Sequence, residues 1–254
     1  MRAGAMKAQV FIRSYGRAKE ITTHKVAPFA RVVVPASQAS AYEAAGVPGD
    51  SLLVIADELD GNLARKMNAI LDMGHEWTLI LDDDITSIGV WEAAQERTVT
   101  PSELAEMVEH YFELAELLGV HLWGVAQKAD AMVYDVAVPF GLLAPILGPF
   151  TGHIRPTLRY DETVLGKDDY DFWLQNIREY HRTLRVNKFH YWRTTGEQRG
   201  GFVSMRSLEI ERTGVDRMRA KWGECFKAGG QKMGRTISGE NILNSICSVP
   251  IEGC

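Results

Sequence analysis

The sequence predicts an α/β fold with a mixed, mostly parallel sheet flanked by helices. Short apolar segments alternate with helical patterns through the first half of the chain, and this alternation is typical of strand–helix units in a parallel sheet. Two of the apolar segments end directly in acids, one at Asp57 and one at Asp82, Asp83 and Asp84. Because open parallel sheets bind ligands at the carboxyl ends of their strands, we expect the binding site at this edge.

The first half contains four predicted strands and two predicted helices. The strands are residues 10–12, 31–34, 52–56 and 77–81, and the helices are residues 37–45 and 62–73. Leu63, Met67 and Ile70 recur at helical spacing, which predicts that one face of the second helix packs on the sheet. The last of the four strands leads directly into the three aspartates.

The second half begins with a clear helix start. Thr100, Pro101 and Glu103 form a capping-box pattern with proline at the first helical position, and Gly119 predicts the end of the helix. Further strands are predicted at 122–126, 132–136 and 189–192, and a further helix at 168–180. Residues 139–156 are rich in Gly and Pro and are predicted to be irregular, and 194–201 predict a loop.

Composition indicates one soluble catalytic domain over residues 1–254. The chain is 46% hydrophobic and 24% charged, values that are ordinary for a globular protein. Its three cysteines form neither a metal spacing nor a disulfide framework, so we expect a cytoplasmic location. We identify no membrane span and infer no protein partner. Residues 178–235 carry 14 Lys or Arg against 6 Asp or Glu, which favours a polyanionic partner or, alternatively, an exposed helical face.

The three adjacent aspartates are the main candidate for chemistry. Adjacent carboxylates at a buried strand end repel one another, and hard divalent ions such as Mg²⁺ or Mn²⁺ prefer oxygen ligands of this kind. A solvated acidic turn is the alternative. Around this cluster lie groups that suit a nucleotide diphosphate: an aromatic ring for the base, an acid for base or ribose, and cations for phosphate. These residues are Arg13, Ser14, Tyr15, Arg17, Asp57, Arg65, Lys66, Asn68, Asp82 and Asp83.

The ordered set of motifs resembles a GT-A glycosyltransferase. Residues 61–68 followed by 79–84 are similar to the donor-binding half of that fold, and residues 166–172 resemble its acceptor-side acid motif. The resemblance implies a nucleotide-sugar donor, most simply a UDP-sugar, and a divalent metal held by Asp84, Asp82 and His190. It also implies that Asp169, or Asp168 if the register differs by one, is the base of an inverting transfer. His190 could instead be a packed core histidine.

Residues 151–202 look most like glycosyltransferases of phage and of the TET/JBP-associated group, which modify hydroxymethylated DNA bases. This narrower resemblance implies a 5-hydroxymethylcytosine acceptor in DNA and a phage-encoded protein. On this interpretation residues 1–100 bind the donor and residues 101–235 the acceptor. Three alternatives stay open: a saccharide or small-molecule acceptor, a sugar-nucleotide pyrophosphorylase, and a DNA-binding module with an inactive transferase fold. The arginines expected to contact DNA are Arg155, Arg182, Arg193 and Arg199.

Overall fold

A computed structural model describes residues 6–92, 95–127, 134–194, 208–228, 234–235, 241–242 and 245–247. In this part of the chain a ten-stranded sheet carries helices on both faces. Its strands are β1 (Gln9–Arg13), β2 (Arg31–Pro35), β3 (Leu52–Ile55), β4 (Trp77–Asp82), β5 (Ile85–Glu92), β6 (Gln95–Thr98), β7 (Leu122–Ala126), β8 (Phe140–Gly141), β9 (Phe150–Ile154) and β10 (Leu184–Arg193). Four further short strands form two antiparallel two-stranded sheets, in which β11 (Phe226–Ala228) pairs with β14 (Ser245–Cys247) and β12 (Gly234–Arg235) pairs with β13 (Asn241–Ile242).

The helices follow the strand–helix alternation expected from the sequence. They are α1 (Thr23–Val26), α2 (Ala39–Ala44), α3 (Leu63–Leu71), α4 (Pro101–Leu117), α5 (Asp168–Tyr180) and α6 (Leu208–Trp222). The predicted capping box of α4 is confirmed, since Thr100 accepts from the backbone N–H of Glu103 and the Glu103 side chain accepts from that of Thr100. Gly119 follows α4 with φ 63°, the left-handed conformation that ends helices.

The predicted α/β class with a mostly parallel sheet is confirmed. The strand order is β3-β2-β1-β4-β9-β7-β10-β5-β6, and β8 pairs with β10. The first four strands pair in parallel, whereas β5, β8 and β9 run against the direction of the rest. The carboxyl ends of β1 and β4 therefore meet, and the register places Arg13 opposite Asp82.

Two hydrophobic clusters cover the two faces of the sheet. Side chains of β4 alternate between them, with Leu79 and Leu81 in the first and Ile80 in the second, as the two-residue period of a strand requires. Helices α2 and α4 supply the first cluster, and helices α3, α5 and α6 supply the second. A strand that is buried on both faces is continuously apolar, which explains the segment that precedes the aspartates.

The largest departure from the sequence prediction is β9. Residues 139–156 were expected to be irregular, but β9 (Phe150–Ile154) lies between β4 and β7 in the middle of the sheet. Its Gly152 faces Trp123 so closely that a Cβ would lie 2.0 Å from the indole Nε1. This glycine therefore permits close packing of strands, whereas the sequence suggested a loop.

Three other predicted elements have different outcomes. Residues 134–136 of the predicted strand 132–136 are not in a strand, and 132–133 lie outside the described residues. The strand predicted at 189–192 is part of the longer β10. Of the predicted loop 194–201, only Thr194 is described. A search of the described helices finds none whose length and apolar character would allow it to cross a membrane.

Candidate active site

The first ion pair of the candidate site joins the ends of β1 and β4. Arg13 and Asp82 are register partners, and Nε of Arg13 donates a hydrogen bond to Oδ1 of Asp82. The Arg13 side chain is nearly buried, whereas that of Asp82 keeps a quarter of its surface exposed. Asp82 thus has a fixed position and still presents carboxylate surface to the cleft.

Asp83 has a different role, because it anchors the loop after β1. It is buried, and its carboxylate accepts from Oγ of Ser14 at 2.5 Å and from Nη1 of Arg17 at 2.9 Å. Its carbonyl oxygen accepts from the backbone N–H of Thr22 at 2.9 Å. Burial raises the pKa of Asp83, although Arg17 opposes the shift. Ser14 and Arg17 therefore lie at the predicted site, with their polar atoms directed to this aspartate.

Asp84 is the least compensated of the three acids. Its side chain is largely buried, and Oδ1 lacks a hydrogen-bond partner among the described residues. Nη1 of Arg17 lies 4.0 Å from Oδ2 of Asp84. Burial, followed by repulsion from Asp82 and Asp83, raises the pKa of Asp84 to about 6. The cluster therefore has one carboxylate that a bound cation would stabilise.

The residues present fit a divalent ion in part. Across the described residues, no group of three or more His, Cys, Asp or Glu side chains is arranged to hold a metal. Asp82 and Asp84 nevertheless offer hard carboxylate oxygens at one strand end, and the orphaned Oδ1 of Asp84 is an oxygen donor of the type that Mg²⁺ and Mn²⁺ bind. Solvent or substrate oxygens would complete such a site.

The structure does not bring His190 to this cluster. His190 is fully buried on β10, and its Nε2 lies 3.0 Å from Oε1 of Glu96. Farther along β10, Arg193 pairs with Ile85, which follows Asp84 directly. Three strand residues therefore lie between His190 and Thr194, whose backbone N–H donates to the carbonyl oxygen of Asp84, so His190 is roughly 13 Å from the level of that aspartate. The interpretation of His190 as a metal ligand is not supported by this placement.

Lys66 lies under the loop after β1 and is the best placed of the predicted helix cations. Its side chain is 3% exposed, its Nζ donates to the carbonyl oxygen of Ser14, and it lies 2.7 Å from Oδ2 of Asp60. Nζ is also 5.8 Å from the ring centroid of Tyr15, which is exposed. Lys66 thus supports the loop and leaves the Tyr15 ring free for stacking.

The acid that pairs with Lys66 is Asp60, which the sequence analysis did not identify as a site residue. Burial raises the pKa of Asp60, although Lys66 opposes the shift. Asp57 is exposed instead and accepts from the backbone N–H of Ser37 at 3.0 Å. Both acids lie in one short turn, and only the position of Lys66 in the fold distinguishes them.

Arg65 and Asn68 lie on another face of α3 from Lys66. Nε of Arg65 donates to Glu162 at 3.0 Å, and Asn68 exchanges hydrogen bonds with the backbone of Tyr160. Residues three apart on a helix share a face, whereas adjacent residues do not. Arg65 and Asn68 therefore hold the segment before α5, and the prediction that they contact the nucleotide is not supported.

The two candidate bases open α5 and lie at the same edge as the aspartate cluster. Asp168 is buried, and its carboxylate is within electrostatic range of Arg13 and Asp82. Burial, followed by repulsion from Asp169, raises the pKa of Asp168 to about 7. Asp169 is half-buried and accepts from the backbone N–H of Tyr170 at 2.8 Å. Desolvation also raises the pKa of Asp169.

Tyr191 is a site residue that sequence reasoning missed. It is buried on β10, and burial raises the pKa of its phenol. Asp82, Asp169 and Asp84 add to this shift. The hydroxyl therefore lies within electrostatic range of the aspartate cluster after β4 and of the acid at the start of α5. Neighbouring residues of a strand face opposite sides, and in this pair Tyr191 reaches the carboxylates whereas His190 does not.

Only one of the four arginines expected to contact the acceptor is shown at this edge. Arg193 ends β10 and lowers the pKa of Asp84 electrostatically. Arg155 follows β9 at the opposite edge, where it pairs with Glu76 and Glu116. Arg182 precedes β10 at that same edge and donates to a backbone carbonyl oxygen. Arg199 lies outside the described residues. Arg155 and Arg182 therefore lie at the edge remote from the acids, and their contact with DNA stays a prediction.

Because Asp168 is buried, replacing its carboxylate should stabilise the folded protein, and the size of the gain should depend on pH. Its folded pKa, about 7, exceeds the unfolded value of about 4, so folding takes up a proton between these pH values. Stability is therefore lost as pH rises toward 7, and the cost of the buried charge persists above it. We expect Asp168→Asn to raise the melting temperature at pH 8 and to leave it almost unchanged at pH 4. Thermal unfolding with the exposed Asp50→Asn as control measures this, and equal shifts at both pH values would contradict it.

Two acid pairs on neighbouring elements, two arginines and an exposed tyrosine lie at the carboxyl edge of this sheet, where open α/β sheets bind their ligands. A family model, TET-Associated Glycosyltransferase, matches residues 8–201. The chain belongs to this family, and its fold and family support glycosyl transfer from a nucleotide-sugar donor.

Solved structures with a similar arrangement share little sequence with this chain. S. aureus TarS residues 1–349 is 14% identical over 84% of this chain and 66% of that one, with a TM-score of 0.48. The chain thus spans slightly less than two thirds of that structure. CMP:2-keto-3-deoxy-manno-octonic acid synthetase complexed with CTP is 11% identical over 84% of this chain and 97% of the other, with a TM-score of 0.38. No curated protein matches the chain.

Proposed function

We propose that this protein transfers a sugar from a UDP-sugar to the hydroxyl group of 5-hydroxymethylcytosine in DNA, with inversion at the anomeric carbon. The observation that carries the proposal is the convergence of two acid pairs on one arginine. Arg13 bonds Asp82 and is electrostatically coupled to Asp168, so the donor-side and acceptor-side motifs share one cleft. Family membership supports the transfer chemistry, and the DNA acceptor is the finer part of the proposal.

The donor would lie over the ends of β1 and β4. The exposed ring of Tyr15 suits stacking on a nucleobase, and the guanidinium groups of Arg13 and Arg17 suit a diphosphate. Asp82 and Asp84 would hold a divalent ion, Mn²⁺ or Mg²⁺, whose charge stabilises the leaving diphosphate when it is bound. These groups would bind the donor and stabilise the charge that develops on the leaving nucleotide diphosphate.

Asp169 would serve the acceptor. Its carboxylate takes the hydroxyl proton while the acceptor oxygen attacks the anomeric carbon, and the bond from that carbon to the diphosphate breaks as the nucleotide leaves with the electron pair. Asp169 is preferred over Asp168 because it is half-buried whereas Asp168 is buried. A base in DNA reaches such a cleft when it is flipped out of the helix.

A saccharide or small-molecule acceptor is the second candidate, and the arginine positions favour it. Arg155 and Arg182 lie at the edge remote from the acids, and Lys221 of the basic segment pairs with Asp161 and Asp171. Arg155 and Lys221 are thus paired with acids within the fold. Of the three described arginines in this set, Arg193 is the one that lies near the acids, where it lowers the pKa of Asp84 electrostatically.

The two acceptor classes can be separated by product and by salt response. Purified protein, Mn²⁺ and candidate UDP-sugars are incubated with hydroxymethylcytosine DNA, with unmodified DNA or with small hydroxyl acceptors, and digested nucleosides are analysed for added hexose mass. We expect addition to hydroxymethylated DNA alone. Transfer to a small acceptor with none to DNA, across donors and salt concentrations, would refute the DNA acceptor and leave the transferase standing.

Arg193 provides a specific prediction for DNA binding. Each phosphate contact contributes about one unit to the slope of log affinity against log salt. We therefore expect Arg193→Ala to weaken DNA binding and reduce this slope by about one unit. Arg155→Ala, at the opposite edge, is the matched control and should leave the slope unchanged. Equal slopes for wild type and Arg193→Ala, measured by fluorescence anisotropy, would contradict the assignment.

A further inference from the structure

Helix α6 contacts the segment that carries the two candidate bases. This segment, residues 161–171, includes Asp168 and Asp169 and the first turn of α5. Helix α6 lies beyond residues 8–201, which the family model matches. Its contacts with the segment are therefore not part of the region that assigns the chain to its family.

Lys221 of α6 joins the two ends of the segment. Its Nζ lies 2.9 Å from Oδ2 of Asp161 and 2.8 Å from Oδ1 of Asp171. The Asp171 side chain is fully buried, and Oδ1 also accepts from Nε1 of Trp222 at 2.8 Å. Because a buried carboxylate without a partner is strongly destabilising, this ion pair ties the start of α5 to α6.

Two further contacts hold the middle of the segment. Nη1 of Arg217 donates to the carbonyl oxygen of Thr163 at 2.7 Å. Gly214 faces the carbonyl oxygen of Leu165 so closely that a Cβ would lie 2.3 Å from it. Glycine permits such a close approach to backbone. The helix thus meets the segment three residues before Asp168.

Helix α6 is itself anchored in the core. Val215 and Met218 are buried in the hydrophobic cluster that α3 and α5 also supply. Residues two apart on a helix do not share a face, so Asp171 can bind α6 while Asp169 is left to the cleft. The contacts therefore hold the start of α5 from the side away from the donor site.

We infer that α6 is a clamp on the segment before α5 and that Lys221 is a positioning residue for Asp169. This inference rests on the proposed function and names a further residue for the same site. Lys221 acts through Asp161 and Asp171, which lie on either side of the base in the sequence. A base must be held closely in its productive geometry to take a proton from the attacking hydroxyl group.

The first test removes the ammonium group of Lys221. We expect Lys221→Met to lower kcat by roughly 10- to 100-fold, because a small displacement of a catalytic group has an effect of this size. The KM for the UDP-sugar should stay within about twofold, because the donor contacts at β1 and β4 are unchanged. Lys221→Arg keeps a cation and should restore part of the lost kcat. Arg219→Met is the matched control, since Arg219 is exposed and pairs with Asp216 of its own helix at 3.8 Å.

The second test keeps the ion pairs and displaces the segment. Gly214→Ala places a Cβ against the carbonyl oxygen of Leu165 and should also lower kcat with the KM for the donor retained. Thr213→Ala is the control, because Thr213 is the exposed neighbour and both substitutions raise helix propensity. This pair carries the test if Lys221→Met does not fold.

Hydrogen exchange measures the clamp without reference to activity. Within the segment, the backbone N–H of Val164 donates to Asp161 and that of Asp171 donates to Lys167, both at 3.0 Å. We expect these amide groups to exchange roughly tenfold faster in Lys221→Met and Gly214→Ala than in the two controls. Local opening becomes easier when a contact that holds the segment is lost.

All variants are measured beside wild type with the same donor and acceptor. Lower kcat and faster exchange in Lys221→Met and Gly214→Ala, absent from both controls, support the inference. With active wild type, unchanged exchange in the segment, or kcat at the level of the control in either pair, would overturn the inference and leave the proposed function standing. Absence of transfer by wild type with every donor and acceptor would refute the proposed function, and the positioning role with it.

Discussion

Asp169→Asn should lower the rate of sugar transfer by about 10²–10⁴-fold while donor binding is retained. Asparagine keeps the size of the side chain and the acceptor oxygen for the backbone N–H group of Tyr170. Its amide cannot take the proton from an attacking hydroxyl group. Single-turnover transfer at saturating donor measures the chemical step, and a thermal-shift titration with the UDP-sugar measures binding.

Asp168→Asn is the comparison that identifies the base. Asp168 neighbours Asp169 in sequence and shares its cleft, but we expect Asp168→Asn to lower transfer less because the residue is buried. Nearly normal transfer by Asp169→Asn together with inactive Asp168→Asn would move the assignment by one residue. Full activity in both variants would exclude a base at the start of α5.

The parts of the site that local sequence could predict are those set by adjacent residues. The three aspartates follow a continuous apolar strand, and a strand end at the carboxyl edge of a parallel sheet is determined by local pattern and by chain direction. The capping box of α4 is likewise local, because its donors and acceptors lie within four residues. The strand–helix order therefore gave both the fold class and the position of the acids.

The parts that local sequence could not predict depend on which strands and turns become neighbours. The register of β10 on β5 decides that Tyr191 and not His190 approaches the acids, and a one-residue change reverses the side to which a strand residue points. β10 also contains irregular register near Trp192 and Arg193. Similarly, Asp60 rather than Asp57 pairs with Lys66, a contact between a turn and a helix that no local spacing specifies.

The excess of basic residues in the sequence predicted a polyanionic partner, but it did not predict where the basic side chains lie in the fold. The arginines predicted to contact DNA occur in one basic part of the sequence or near it. However, Arg155 follows β9 and Arg182 precedes β10, so both lie at the edge remote from the acids. Five strand residues lie between Arg155 and the level of Asp82, a separation of roughly 20 Å. The number of basic residues in a segment indicates a binding partner only when the strand directions, and therefore the positions of those residues, are also known.

Asp84→Ala should abolish the metal-dependent part of donor binding while the fold stays intact. With donor and Mn²⁺ at about 100 times their dissociation constants, binding stabilises the native protein by about 2.7 kcal/mol, or roughly 5–10 °C for a domain of this size. We expect wild type to show this increment only with Mn²⁺ and nucleotide diphosphate together. In Asp84→Ala the increment should vanish because the variant lacks the orphaned Oδ1.

The same titration decides the role of His190. Because His190 bonds Glu96 and lies about three strand residues from the cluster, His190→Ala should lower the starting melting temperature through lost packing but retain the increment from Mn²⁺ and nucleotide. The exposed Asp50→Ala controls for loss of a carboxylate elsewhere. An undiminished increment in Asp84→Ala would exclude Asp84 as a ligand. Its disappearance in a folded His190→Ala would instead restore the histidine to the metal site, which would require β10 to shift when ligand binds.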